Sequence, residues 1–249
     1  MDEIKKYIDV IIPCYNVEET IEECIKSLCN QSLSKNEYSC YFINDCSIDS
    51  TGSILDKYKR IENINIIHHQ KNQGLAITRN KGIKAGDSKM IAFLDGDMVV
   101  KKNWLESFLP YFNESVVAVM GDNTAPKNIS LNPVEKYYFG NLRGARKYKD
   151  GERIPFQYML FGNAMLKRVV LKECGYFNES IKKYGGEDTD LSARIWDIYP
   201  KSLVFSKNSD AVHYHKRNLK EFSNSMYTYG EYNLPLLMKN HPHHKNKFV

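Results

Sequence analysis

Two pairs of carboxylates stand where this chain could do chemistry. Asp95 and Asp97 flank Gly96 directly after the apolar run Met90-Ile91-Ala92-Phe93-Leu94. A glycine between two acids lets the backbone turn sharply, so both carboxylates can face one point. Two hard oxygen donors there suit Mg2+ or Mn2+, and a cation so held neutralises a diphosphate. Asp-Gly is also a strong hairpin-turn signal. The non-alternating strand before it favours instead a crevice beyond a strand end, where sheets of this kind bind ligands. The second pair, Glu187-Asp188, opens a helical pattern that puts Leu191 and Ile195 on a core-facing side. Acids in a first turn stabilise the helix dipole by about 0.3–1 kcal/mol each. Two acids after Gly185-Gly186 exceed what a cap needs, because the glycines let the backbone and a substrate approach closely.

The elements that must position these acids alternate along the first half. Ile8 to Ile12 reads as a strand stopped by Pro13, Val17 to Leu28 as a helix, and Tyr41 to Ile43 as the next strand. A helix over 50–60, a strand over 64–67, a helix over 75–85 and the strand 90–94 follow. Continuous apolar runs of this length suit strands covered on both faces, so the class is α/β, a mostly parallel central sheet flanked by helices. Residues 122–155, rich in Asn, Lys and Tyr and carrying Pro126 and Pro133, read as an irregular excursion with one short helix. The expected division is a catalytic domain over 1–217, with halves 1–121 and 122–217, then a helical extension and polar tail over 218–249. The histidine-rich end, with His241, His243 and His244, reads as a frayed tract that resembles a metal-binding one only by composition.

Composition narrows the class further. The 249 residues, 42% hydrophobic and 26% charged, are ordinary for a soluble globular protein. A net charge of +5, spread along the chain, gives no footprint for nucleic acid. Arg143, Arg146, Lys147 and Lys149 cluster, as do Lys216, Arg217 and Lys220, and a phosphate or an anionic lipid surface could use either group. The six cysteines lack zinc or redox spacing, which points to free thiols in a reducing, cytoplasmic compartment. There is no signal-peptide pattern and no run of about 20 apolar residues. The aromatic stripe of Phe222, Met226, Tyr227, Tyr229 and Tyr232 reads as packing, or as an interfacial helix at the inner face of a membrane.

Several short blocks, in order, resemble family 2 glycosyltransferases of the GT-A fold. They are Pro13-Cys14-Tyr15-Asn16, Asn44-Asp45-Cys46-Ser47-Ile48-Asp49-Ser50-Thr51, Asn72-Gln73-Gly74, Arg79-Asn80-Lys81-Gly82, Leu94-Asp95-Gly96-Asp97, Phe161-Gly162-Asn163-Ala164-Met165 and Gly185-Gly186-Glu187-Asp188. The likeness spans roughly residues 8–217. It implies an inverting transfer of a sugar from a nucleotide-diphosphate donor, a UDP-sugar first among them, to a hydroxyl of a glycan or lipid-linked acceptor. It further implies a nucleotide site of Pro13, Tyr15, Asn16, Asp45, Arg79, Asp95 and Gly96, with Asp45 reading the base. The same likeness makes Asp97 the direct ligand of a divalent cation (Mn2+ or Mg2+), aided by Asp95 and by His215, with His213 the alternative. Asp188, paired with Glu187, becomes the base that takes the acceptor's proton. Asn44 stands where the family often has an aspartate, and keeps an acceptor without the charge. A sugar-phosphate nucleotidyltransferase would need a glycine- and lysine-rich loop after the first strand, which Pro13-Cys14-Tyr15-Asn16 is not. A non-catalytic carbohydrate- or nucleotide-binding module would have no use for both Asp97 and Asp188.

Overall fold

The computed structural model describes residues 6–127, 129–183, 185–214 and 216–248. In chain order the strands are β1 (Ile8–Cys14), β2 (Tyr38–Asn44), β3 (Ile64–His68), β4 (Met90–Leu94), β5 (Met98–Val100), β6 (Ala118–Thr124), β7 (Asn163–Lys167) and β8 (Leu203–His213). The helices are α1 (Ile21–Cys29), α2 (Thr51–Asp56), α3 (Leu75–Ala85), α4 (Trp104–Phe108), α5 (Pro133–Tyr138), α6 (Arg168–Cys174), α7 (Glu187–Ile198), α8 (Leu219–Thr228) and α9 (Leu234–Asn240). All eight strands form one sheet in the order β3-β2-β1-β4-β7-β6-β8-β5.

The half that carries β3, β2, β1 and β4 is parallel. Beyond β4 the sheet is mixed: β7 runs antiparallel to β4 and β6, and β8 parallel to β6 but antiparallel to β5. The sheet is therefore wholly parallel only over the half where the sequence alternates strand and helix. β1 and β4 are buried along their whole length. Successive residues feed opposite layers: Val10, Ile12, Ala92 and Leu94 pack under α1, while Ile11, Ile91 and Phe93 pack toward α3 and α7. That two-sided burial is why these strands are apolar without alternation.

Three local departures have physical causes. β1 continues through Pro13 because its ladder with β4 ends at Ile11↔Phe93, so proline has no donor to lose on that side. Asp95-Gly96-Asp97 is no hairpin, because β5 leaves β4 and pairs with β8 at the far edge of the sheet, Met98 opposite His213. The tail does not fray. A turn of π-helix (Tyr229–Asn233) joins α8 to α9, Leu237 is fully buried, and a 3-10 turn (Pro242–Lys247) lies along α7. His241 is buried there, with Nε2 3.0 Å from Asp190 Oδ1.

Candidate active site

The carboxyl ends of β1 and β4 and the start of α7 open onto one cleft of about 650 Å3. Its walls include Pro13, Tyr15, Asn16, Asp45, Arg79, Asp95, Gly96, Asp97, Glu187, Asp188 and His213. The two acid pairs, at least 90 positions apart in sequence (Asp97 to Glu187), thus share one crevice at the strand ends.

Arg79 joins them. It lies on α3, 1% exposed, and donates to Asp188 Oδ1 at 2.7 Å and Asp95 Oδ1 at 3.1 Å. Glu187 Oε1 lies 3.7 Å from the same guanidinium. Beneath it Phe177 presents its ring 5.2 Å from the guanidinium carbon, and Phe93, Phe161 and Phe177 pack edge to face on one another. A buried cation over an aromatic base is thereby ringed by acids. Its two terminal nitrogens donate to carboxylates while its buried Nε has no hydrogen-bond partner, so its observed work is to fix where those carboxylates point. The phenylalanine floor also connects the site to the sheet, since Phe93 is a residue of β4.

Each acid has its own environment. Asp188 is fixed at both oxygens, because Phe161 N–H donates to Oδ2 at 3.1 Å. Its side chain is 14% exposed to the cleft, whereas that of Glu187 is 7% exposed. Burial, and then the Asp188 charge, push Glu187 up to about 7 against the pull of Arg79. Burial likewise raises the Asp95 carboxyl, and Asp97 adds to it, while Arg79 and His213 oppose. Asp95 N–H donates to Gly162 carbonyl, and a Cβ at Gly162 would sit 2.5 Å from Asp95 Oδ2. Only glycine lets that strand pass so close.

Asp97 faces His213, Oδ2 to Nε2 at 3.2 Å, both side chains largely covered. The β5–β8 register places them so, and Tyr214 N–H donating to the Asp97 carbonyl holds the strand end. Oxygen and imidazole donors at this separation fit a single Mn2+ or Mg2+, since ligands about 2.1 Å from one ion lie about 3 Å apart. His215 falls outside the described residues. His213 is the histidine brought to Asp97.

The opposite end of the cleft differs from expectation in one respect. Asp45 is buried, and its oxygens accept N–H bonds from Gln73 and Gly74, each at 2.9 Å, with His69 Nδ1 2.8 Å away. The carboxylate pins the loop after β3 to the cleft wall, besides lining the cleft. His69 was not apparent as a site residue; its only sequence signal is its place just past β3. Tyr15 is 48% exposed at the rim, beside Asn16 in the left-handed region at φ 52°. Asn16 Oδ1 accepts the Ile48 N–H at 2.9 Å, and Ser47 Oγ accepts the Asn16 N–H, so the two loops after β1 and β2 brace each other. Asp49 accepts the Thr51 N–H at 3.0 Å and the Glu18 N–H at 3.1 Å, completing that brace with a local turn just ahead of α2, whose N-cap is Ser50.

Gly185 and Gly186 have φ of 93° and 96°. What approaches Gly186 is the C-terminal segment: a Cβ there would lie 3.1 Å from Asn233 Cβ. Asn233 also donates to the Gly185 carbonyl. The turn that presents Glu187 and Asp188 is therefore held from behind by the extension.

Both the sequence and the fold of the chain resemble those of known glycosyltransferases. Residues 9–175 match Glycosyl transferase family 2, and the chain belongs to that family. It is 28% identical over 249 residues to the minor teichoic acid biosynthesis protein GgaB of Bacillus subtilis, covering 93% of this chain and 27% of that one. The fold resembles S. aureus TarS 1-349 in complex with UDP-GlcNAc (TM-score 0.69, 20% identity, 94% of this chain and 66% of that). It also resembles the mannosyltransferase PcManGT from Pyrobaculum calidifontis in complex with GDP-Man and Mn2+ (TM-score 0.69, 16% identity, 94% and 65%). The chain spans less than half the length of the curated relatives it matches, from 17% to 43%. Among the described residues no helix is long and apolar enough to cross a membrane.

Proposed function

We propose that this chain is the catalytic unit of an inverting glycosyltransferase that moves a sugar from a nucleotide-diphosphate donor, a UDP-sugar, to a hydroxyl of a glycan or lipid-linked acceptor. The observation that carries the reading is that Arg79 ties Asp188 and Asp95 together in the cleft that also holds Asp97 and His213. The donor lies along the strand ends, its base between Tyr15 and the loop pinned by Asp45, and its diphosphate toward Asp95 and Asp97. Asp97 and His213 would hold a divalent cation, with Asp95 behind them. Such a cation, Mn2+ or Mg2+, supplies positive charge against the departing diphosphate.

Asp188 acts from the other side of the sugar. With one oxygen on Arg79 and the other on the Phe161 N–H, its carboxylate cannot rotate away and is already oriented when an acceptor enters. It takes the proton from the attacking hydroxyl as the new bond to the anomeric carbon forms and the bond to the nucleotide breaks. The anomeric carbon is electrophilic enough that moderate basicity suffices. Attack opposite the leaving group inverts the centre. Glu187, more enclosed, stands beside Asp188 on the same Arg79 guanidinium and closes that side of the cleft. On the acceptor side, Leu219, Tyr227 and Tyr232 are exposed and stand near Lys216 and Lys220 in sequence, which suits an acceptor carried at an anionic membrane surface.

The test is a panel of nucleotide sugars with and without Mn2+, reading released nucleoside diphosphate. Turnover of one UDP-sugar that stops with chelator and returns with Mn2+ is the expected result. Equal turnover in chelator would remove the cation from the reading, and no turnover of any donor would remove the activity.

A further inference from the structure

The histidine-rich end of the chain is used by nothing described so far, yet it is ordered against α7. In the 3-10 turn Pro242–Lys247, consecutive residues His243 and His244 both turn Nε2 toward one carboxylate, Asp197 in the last turn of α7. His243 Nε2 lies 3.1 Å from each Asp197 oxygen, and His244 Nε2 lies 2.7 Å from Oδ1. One donor atom from each of the three residues falls within 4.8 Å of the others, and among the described residues this is the group so arranged. The site is also built rather than accidental on one side: the His244 ring packs 4.6 Å from Phe156, which covers that imidazole, while His243 and Asp197 face solvent. His241, just before the turn, anchors the same segment to α7 through buried Asp190.

Two imidazoles and one carboxylate are a borderline donor set. It selects Zn2+, Ni2+ or Co2+ over the oxygen-seeking Mg2+ and Ca2+. Ligands about 2.1 Å from a tetrahedral ion lie about 3.4 Å apart. Separations of 2.7 and 3.1 Å need only side-chain rotation to admit one, and an outward face leaves a position for water.

We propose that Asp197, His243 and His244 form a second metal site, for a Zn2+-like ion, that straps the C-terminal segment onto the helix whose opposite end carries Glu187 and Asp188. Its metal is different in kind from the one suited to Asp97 and His213, and its role is to hold the segment in place.

The experiment uses the full chain without an affinity tag, titrated with Zn2+ by calorimetry and with Co2+ by visible absorption. The expected result is a Zn2+ site that weakens about tenfold or more in His243→Ala, and further in His243→Ala with His244→Ala. Asp97→Ala should retain it, and Co2+ should give the d–d bands of a tetrahedral site in wild type and in Asp97→Ala but not in His243→Ala with His244→Ala. Zn2+ should also slow amide exchange across residues 241–248. His243→Ala changes an exposed side chain, so the fold is kept whatever the outcome. An isotherm unchanged by His243→Ala, or one abolished by Asp97→Ala, overturns the proposal.

Discussion

Replacing Glu187 by glutamine removes one of three acids around Arg79 while keeping shape, and its effect on stability should depend on pH in a defined way. Glu187 has an ordinary carboxyl value of 4.5 when unfolded and is pushed up to about 7 in the fold. A carboxyl raised in this manner destabilises the native state once it must ionise. The penalty is absent below about 4.5, grows by about 1.4 kcal/mol per pH unit, and is complete above about 7, reaching roughly 3 kcal/mol. The side chain is 7% exposed, so solvent screening takes little from that figure. Glu187→Gln should therefore gain stability over wild type steadily from pH 5 to 7 and no further by pH 8.5. Urea unfolding at half-unit steps of pH, at constant ionic strength and with equal m-values, reads this directly. A difference between the two proteins that is flat across this range would refute the buried, charge-crowded Glu187.

Arg79→Met should destabilise by about 3–5 kcal/mol, because it leaves Asp95 and Asp188 unpaired around an apolar side chain. Adding Glu187→Gln to it should recover part of the loss, which a double-mutant denaturation cycle measures. Gly186→Ala should cost about 1–3 kcal/mol through its φ of 96° and its close approach to Asn233. It should also loosen the C-terminal segment, seen as faster amide exchange in α9.

Much of the fold was legible, for reasons tied to particular residues. The helix over 75–85 and the strand over 90–94 are found at their expected bounds; the strand is buried on both faces and reads as a continuous apolar run, whereas the helix buries Thr78, Arg79, Asn80 and Gly82 and carries little apolar stripe. The irregular stretch from 122 to 155 does hold one short α-helix, α5, and its capping box was written in Asn132 and Glu135. The antiparallel strands β7 and β8 were not legible, since their partners are set by long-range register. The clustering of the two acid pairs followed from strand-end geometry and from the family blocks. The partners of Arg79 did not, because Asp188 is 109 positions away and nothing local distinguishes a buried arginine from a solvated one. Asp45 looks the same in sequence whether it faces a ligand or three donors of its own chain. The tail was read as frayed because its polar composition hides the fact that each of its three histidines has a carboxylate partner on α7.

The most direct measurement is the paired kinetics and donor binding of Asp188→Asn. Loss of a general base should lower transfer by about 10²–10⁴-fold. The nucleotide end of the cleft and the Asp97–His213 pair are left intact, so UDP affinity in Mn2+, read by calorimetry, should stay close to wild type. Transfer that survives near the wild-type rate with donor bound would contradict the assignment of Asp188 as the base.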